Sequence, residues 1–200
     1  MTTMTAQPDS AAARKAMIDS QLRTSGINEE FVLSRMITVP RENFLPEDKL
    51  ALAYIDRAVL LDGGGHLASP LFYGKLLIEA DPRDTDDVLI VEGGTGYLAQ
   101  LVRPLVKSIE TVSAADAAAG KLSSGRTFSL VMVDGAIEQL PGALAGSIAE
   151  DGRIVTGYVL RQVTRLASGR KVARQVALQP VEDLGIPILA DFNKPKSWKF

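Results

Sequence analysis

Residues 88–102 read VLIVEGGTGYLAQLV: an apolar run, an acid, a cluster of glycines, then a second apolar run. The first run is short, rich in β-branched residues and bounded by acids and glycines, which predicts a strand buried on both faces. The second predicts a helix, disturbed at Pro104. Between them, glycines let the backbone turn sharply and let a ligand approach where a Cβ would otherwise stand. The N–H groups that open the helix add positive potential. An acid at the strand end can accept from a ligand amine or hydroxyl. Glu92, Gly94 and Gly96 fit these roles in the spacing E-x-G-x-G. The dinucleotide pattern G-x-G-x-x-G is not met, because Ala99 stands where its last glycine would fall. A tight strand-to-helix turn with no ligand is the competing reading, and spacing alone leaves both open.

Downstream, strands and helices alternate. SIETVSA (108–114) predicts a weak strand and AADAAAGKL (114–122) a short helix. FSLVMVDG (128–135) predicts a second strongly buried strand, PGALAGSIAE a helix starting at Pro141, and GRIVTGYVL (152–160) a third strand. Residues 163–178 alternate apolar and polar around Ser168-Gly169, which predicts a hairpin turning there. Upstream, Ser10 caps a helix that stops at Gly26, and Asn28 caps a second that ends before Pro40. Gly63–Gly65 mark an irregular loop. Ser69 and Pro70 fit the N-cap and first position of a third helix.

Together these predict an α/β fold: a doubly wound, mostly parallel, Rossmann-like sheet with an N-terminal helical arm and a C-terminal antiparallel hairpin. One domain over 1–200 is expected, with 1–10 frayed, 11–80 forming the arm and its loops, and 81–200 the sheet and tail. Ligands in such sheets sit beyond the C-terminal ends of the strands, where Glu92–Gly96 and Asp134–Ala136 fall.

Composition sets limits. The chain is 46% hydrophobic and 23% charged, enough for a full core, and its net charge of −2 argues against a nucleic-acid or anionic-membrane surface. With no cysteine and one histidine, His66, thiol chemistry is excluded and a histidine metal centre disfavoured, so no metal is expected. No apolar stretch approaches the roughly 20 residues of a membrane helix, and MTTMTAQPDS is no signal peptide, so a cytoplasmic location is expected. Arg41 and Glu42, in VPRENF, suit either a carboxylate-binding site or a surface ion pair. Lys194, Lys196 and Lys199 beside Trp198 suit a docked tail or an anionic partner.

Several stretches occur in order over residues 15–190: MIDSQLRTSGI, VLSRMITVPRENFLP, AYIDRAVLL, GGGHLASPLFYGKLL, VEGGTGY, FSLVMVDGA and AEDGRIVTGYV. As a set they resemble the protein-L-isoaspartate O-methyltransferase family. The resemblance implies a methyltransferase sheet, S-adenosylmethionine as cofactor, and methyl transfer to the carboxylate of isoaspartyl residues in a protein or peptide. It implies that Glu92, Gly94, Thr95 and Gly96 line the cofactor, with Asp134 and Gly135 at its far edge, and that Ser69 and Asp56 belong to the substrate side. Three departures accompany it. The glycine turn is short, which sets Tyr97 near the ligand space. Residues 97–127 hold one helix, one strand and one short helix, so an edge strand–helix unit is expected to be lost. Its loss would make SIETVSA a sheet edge open to homodimer pairing, and Ser113 stands where a ribose-binding acid is usual. Ala68 takes the place of the substrate-loop serine, with Ser69 one position later as an N-cap. A second reading therefore stands beside the enzyme: a descendant that binds or assembles without cofactor. His66 is expected to hydrogen-bond a loop rather than act as a base.

Overall fold

Val88 and Ile90 pack against one layer of helices and Leu89 and Val91 against the other, and all four are fully buried. A strand with both faces in a core must lie inside a sheet covered on both sides. The computed structural model, which describes residues 10–123 and 125–194, has that arrangement.

The arm comprises α1 (Ser10–Met17) and α2 (Glu30–Thr38). A π turn over Ile18–Leu22 and a 3-10 turn over Arg23–Ser25 prolong α1 to Gly26, whose φ of 83° provides the left-handed stop. Glu29, not Asn28, is the N-cap of α2, and its side chain makes no capping bond. The two-residue strands β1 (Val59–Leu60) and β2 (His66–Leu67) bracket the triple-glycine loop. Next comes α3 (Pro70–Ala80), capped as expected: the Ser69 hydroxyl accepts from Phe72 N–H at 3.2 Å.

The sheet proper follows: β3 (Asp87–Glu92), α4 (Tyr97–Val102), β4 (Ser108–Ser113), α5 (Ala114–Ala118), β5 (Phe128–Ile137), α6 (Gly142–Ser147), β6 (Ile148–Leu160), β7 (Val163–Val172), β8 (Gln175–Val176) and β9 (Gln179–Asp183). Pro104 ends α4 in a 3-10 turn. Spatial order is β4-β3-β5-β6-β7, with β8 and β9 both on β7. β4 to β6 run parallel; β7, β8 and β9 are antiparallel additions. α1 to α4 cover one face, and α5, α6 and the turn at Phe192 cover the other. No strand lies outside β4 among the described residues, so the sheet ends where the lost unit would have begun. Arg153 on β6 locks the opposite ends of these strands, donating to Asp86 at 2.6 Å and to the Ala80 carbonyl at 2.9 Å.

Two expectations need correction. The chain does not turn at Ser168-Gly169; both lie inside β7, opposite Val155 and Ile154. It turns at Arg161-Gln162 (φ 53° and 65°) and again at Ala173-Arg174 (φ 50° and 66°). These are two-residue loops with both φ positive, the twist that right-handed strands require, built without the usual Asn-Gly signal. The helix expected from Pro141 to Glu150 also stops early, because Ile148 joins β6 opposite Phe128. The tail reading for Lys196, Trp198 and Lys199, and the fraying of 1–9, lie outside the described residues.

Candidate functional site

Two glycine loops meet at the C-terminal ends of β3 and β5. His66 N–H donates to Gly93 C=O at 2.8 Å, which ties the 63–66 loop to the 93–96 turn. A Cβ on Gly65 would stand 2.7 Å from the Gly93 carbonyl oxygen, so this contact excludes any side chain. Gly64 and Gly96 instead face open space. Glu92 ends β3 and accepts from Gly96 N–H at 3.1 Å. Burial raises its carboxyl above the ordinary range, opposed by that hydrogen bond. Thr95 stays local, its hydroxyl accepting from Tyr97 N–H at 3.4 Å.

These loops wall a cavity of about 860 Å³, with Glu92 and Gly94 on one side and Ser113 and Ala114 on another. Its remaining wall is a strap, Pro187–Asp191, which sequence reasoning missed. The strap crosses the end of β5: Ala136 N–H donates to Pro187 C=O at 2.7 Å, and Leu189 N–H to Ala136 C=O at 2.9 Å. The only available signal was the apolar run Leu184–Leu189, where proline is tolerated because its carbonyl, not an N–H, makes the bond. A smaller cavity of about 400 Å³ lies between α4 and β4, lined by Glu92, Gly96, Arg103 and Thr111.

Tyr97 does not enter the ligand space, contrary to expectation. Its ring is fully buried among Phe44 (5.1 Å), Tyr73 (4.9 Å) and the Arg41 guanidinium (5.3 Å). Arg41 is likewise no surface residue. It is fully buried and donates to the carbonyls of Ala53 at 2.6 Å and Ala68 at 2.7 Å, while Glu42 pairs with Arg14 at 3.0 Å. Helical spacing brings neither arginine nor tyrosine to notice, because the partners come from four separate segments.

Asp134 and Gly135 sit beneath the cavity rather than on its surface. Leu189 packs directly on Gly135. The Asp134 side chain is fully buried, and the Tyr73 hydroxyl donates to its Oδ2 at 3.2 Å. Its Oδ1 has no hydrogen-bond partner. Burial, reinforced by the nearby Glu92 charge, pushes this carboxyl up to about 8. His66 Nε2 donates to the Asp134 carbonyl at 2.9 Å, and burial lowers its ring below the usual histidine range. It is therefore a neutral loop hydrogen-bonder at neutral pH.

Asp56 and Ser69 share a second recess, a groove of about 560 Å³ floored by Leu71 and closed by Leu184–Pro187. Leu60 and Pro187 line both this groove and the large cavity. The two spaces thus meet at one apolar partition.

The large cavity has the size of a nucleoside site, with backbone exposed at Gly64 and two acids on its walls, Glu92 at the glycine turn and Asp191 on the strap, for a cationic group. Those residues fit S-adenosylmethionine. The end of β4 contributes no acid for ribose hydroxyls: the Ser113 hydroxyl caps α5 and donates to Asp116 at 2.9 Å.

Fold and site together define a Rossmann-like methyltransferase class of protein. The sequence model of the family described as protein-L-isoaspartate(D-aspartate) O-methyltransferase matches residues 12–122. A protein-L-isoaspartate O-methyltransferase of Koribacter versatilis is 30% identical over 90% of this chain and 93% of its own. The Methylorubrum extorquens protein of that name is 30% identical over 84% and 86%. Among solved structures, a Plasmodium falciparum protein-L-isoaspartate O-methyltransferase in complex with S-adenosyl-L-homocysteine superposes with a TM-score of 0.74. It covers 90% of this chain and 98% of its own at 15% identity, a likeness of fold. This chain belongs to the protein-L-isoaspartate O-methyltransferase family.

Proposed function

We propose that this chain transfers the methyl group of S-adenosylmethionine to the carboxylate of an isoaspartyl residue in a protein or peptide. The observation that carries this reading is the pairing of the two spaces. A cavity beside Glu92 and the glycine loops adjoins a groove beside Asp56 and Ser69, and Leu60 and Pro187 line both. In this reading residues 11–80, which bring Asp56 and Ser69, and 81–200, which bring Glu92 and its glycine turn, form one catalytic unit whose two spaces draw on both segments. The cofactor contributes a methyl group already activated on a sulfonium. A carboxylate is already ionised at neutral pH, so the chain needs no general base. Its work is to align the two groups and exclude water. Glu92, steadied by Gly96 N–H, holds the cationic end; Gly94, Thr95 and Gly96 shape the turn beneath it. Asp134 and Gly135 support that floor from below. Ser69, at the head of α3, fixes the acceptor side.

The test is methyl incorporation from S-adenosylmethionine into an isoaspartyl peptide, with the aspartyl peptide as control. Incorporation into the isoaspartyl peptide alone supports the reading; none into either, by folded protein, sinks it. One observation favours a second reading, a cofactor-free binding module: the Ser113 hydroxyl is spent on α5 where a ribose acid would serve. The same account takes the chain as cytoplasmic, without nucleic-acid partners, and pairs two copies along the outer edge of β4. Sedimentation would show a dimer if so, and a monomer at high concentration if not.

A further inference from the structure

Of the residues lining the acceptor groove, only Asp56 and Arg57 carry charge. Both are exposed, and among the described residues neither side chain makes a hydrogen bond or ion pair within the chain. Most other arginines of the fold are committed: Arg14 to Glu42, Arg35 to two carbonyls, Arg41 to two carbonyls, Arg153 to Asp86. The groove's remaining wall is largely apolar, with Leu60, Leu71, Leu184, Ile186 and Pro187. Ser69 adds one more polar group. Its oxygen accepts from Phe72 N–H, which leaves its own O–H proton available to donate.

We infer that Arg57 is the residue that recognises the acceptor's carboxylate, the groove's single cation for an anionic substrate. The inference rests on the methyl-transfer reading and deepens it. A guanidinium presents a planar fork that matches a carboxylate. Its exposure matters as much as its charge. The acceptor oxygen must give up an electron pair to the methyl carbon as the sulfur–carbon bond breaks and that bond's pair returns to sulfur. The product ester is neutral. A deeply buried ion pair would hold the carboxylate too firmly in the ground state, whereas a solvent-screened one steers the acid in with little cost to the step. The same contact loses its hold on the ester, so Arg57 favours the substrate over its own product.

The test measures binding of an isoaspartyl peptide and of its methyl ester to the whole chain, at low ionic strength and saturating S-adenosylhomocysteine, for wild type, Arg57→Gln and Arg57→Lys. Wild type is expected to bind the acid about fivefold more tightly than the ester, the scale of a partly exposed charge pair. Arg57→Gln is expected to bring that ratio near one, and Arg57→Lys to retain part of it. In turnover, Arg57→Gln is expected to raise KM about fivefold and leave kcat unchanged. An acid-to-ester ratio unaltered by Arg57→Gln, or a wild type that does not prefer the acid, would overturn the assignment. Titration of S-adenosylhomocysteine alone separates the two failures. Absence of cofactor binding removes the methyl-transfer reading, whereas equal cofactor binding by wild type and Arg57→Gln with an unaltered ratio removes Arg57 only.

Discussion

Asp134 is a carboxyl group at the centre of the molecule, with one oxygen held by Tyr73 and the other unpartnered. Its value near 8 in the fold, against about 3.9 unfolded, fixes the sign of a pH effect. Between those values the folded chain keeps a proton that the unfolded chain has lost, so stability falls as pH rises. His66, depressed by burial, acts in the opposite direction below its unfolded value near 6.5. The clean window is therefore pH 6.5–8. There, urea unfolding of wild type is expected to lose about 1–2 kcal/mol, and Asp134→Asn is expected to abolish that slope. An equal slope in both proteins would show that Asp134 does not hold its proton. Arg41 gives a second residue-level expectation. Arg41→Met keeps volume but leaves the Ala53 and Ala68 carbonyls buried without donors, so a loss of about 3–5 kcal/mol is expected. A loss under about 1 kcal/mol would mean the guanidinium does not bind the arm to α3. Glu92 and Ser69 were legible from position alone, one at a strand end and one before a proline. Arg41 and Tyr97 were not, because a buried cation and its rings are recognised only when distant segments are already assembled.

At the scale of elements, the strong signals were the ones buried on both faces. β3 and β5 read directly from their apolar runs, and α3 from its Ser-Pro start. The β6–β7 connection did not, since Arg161-Gln162 carries no turn chemistry while Ser168-Gly169 mimics it inside a strand. Non-glycine residues in the left-handed region cost roughly 1–2 kcal/mol each. The double change Arg161→Asn, Gln162→Gly is therefore expected to stabilise the chain by about 1 kcal/mol, read as a higher denaturation midpoint at unchanged m-value. A lowered midpoint would place the turn elsewhere. The strap was invisible for a similar reason: its order comes from two backbone bonds to Ala136, and backbone pairing of a short proline-containing segment leaves no periodic trace.

At the scale of the molecule, the absence among the described residues of a strand beyond β4 was legible by counting the chain between Gly96 and Phe128, since a strand–helix–strand step needs roughly 30 residues. What counting did not show is how the site is enclosed without that unit. The strap, from the other end of the chain, walls the cavity over the end of β5, and Leu60 and Pro187 line both cavity and groove. The central claim is that this enclosure still binds the adenosyl cofactor. Calorimetric titration with S-adenosylhomocysteine tests it most directly, run on wild type and on Gly63→Trp, which puts bulk into the open space facing a glycine of the cavity wall. The account predicts saturable one-to-one binding to wild type, weakened at least tenfold, about 1.4 kcal/mol, by Gly63→Trp. No heat of binding at millimolar ligand, from wild type that melts cooperatively, would contradict it.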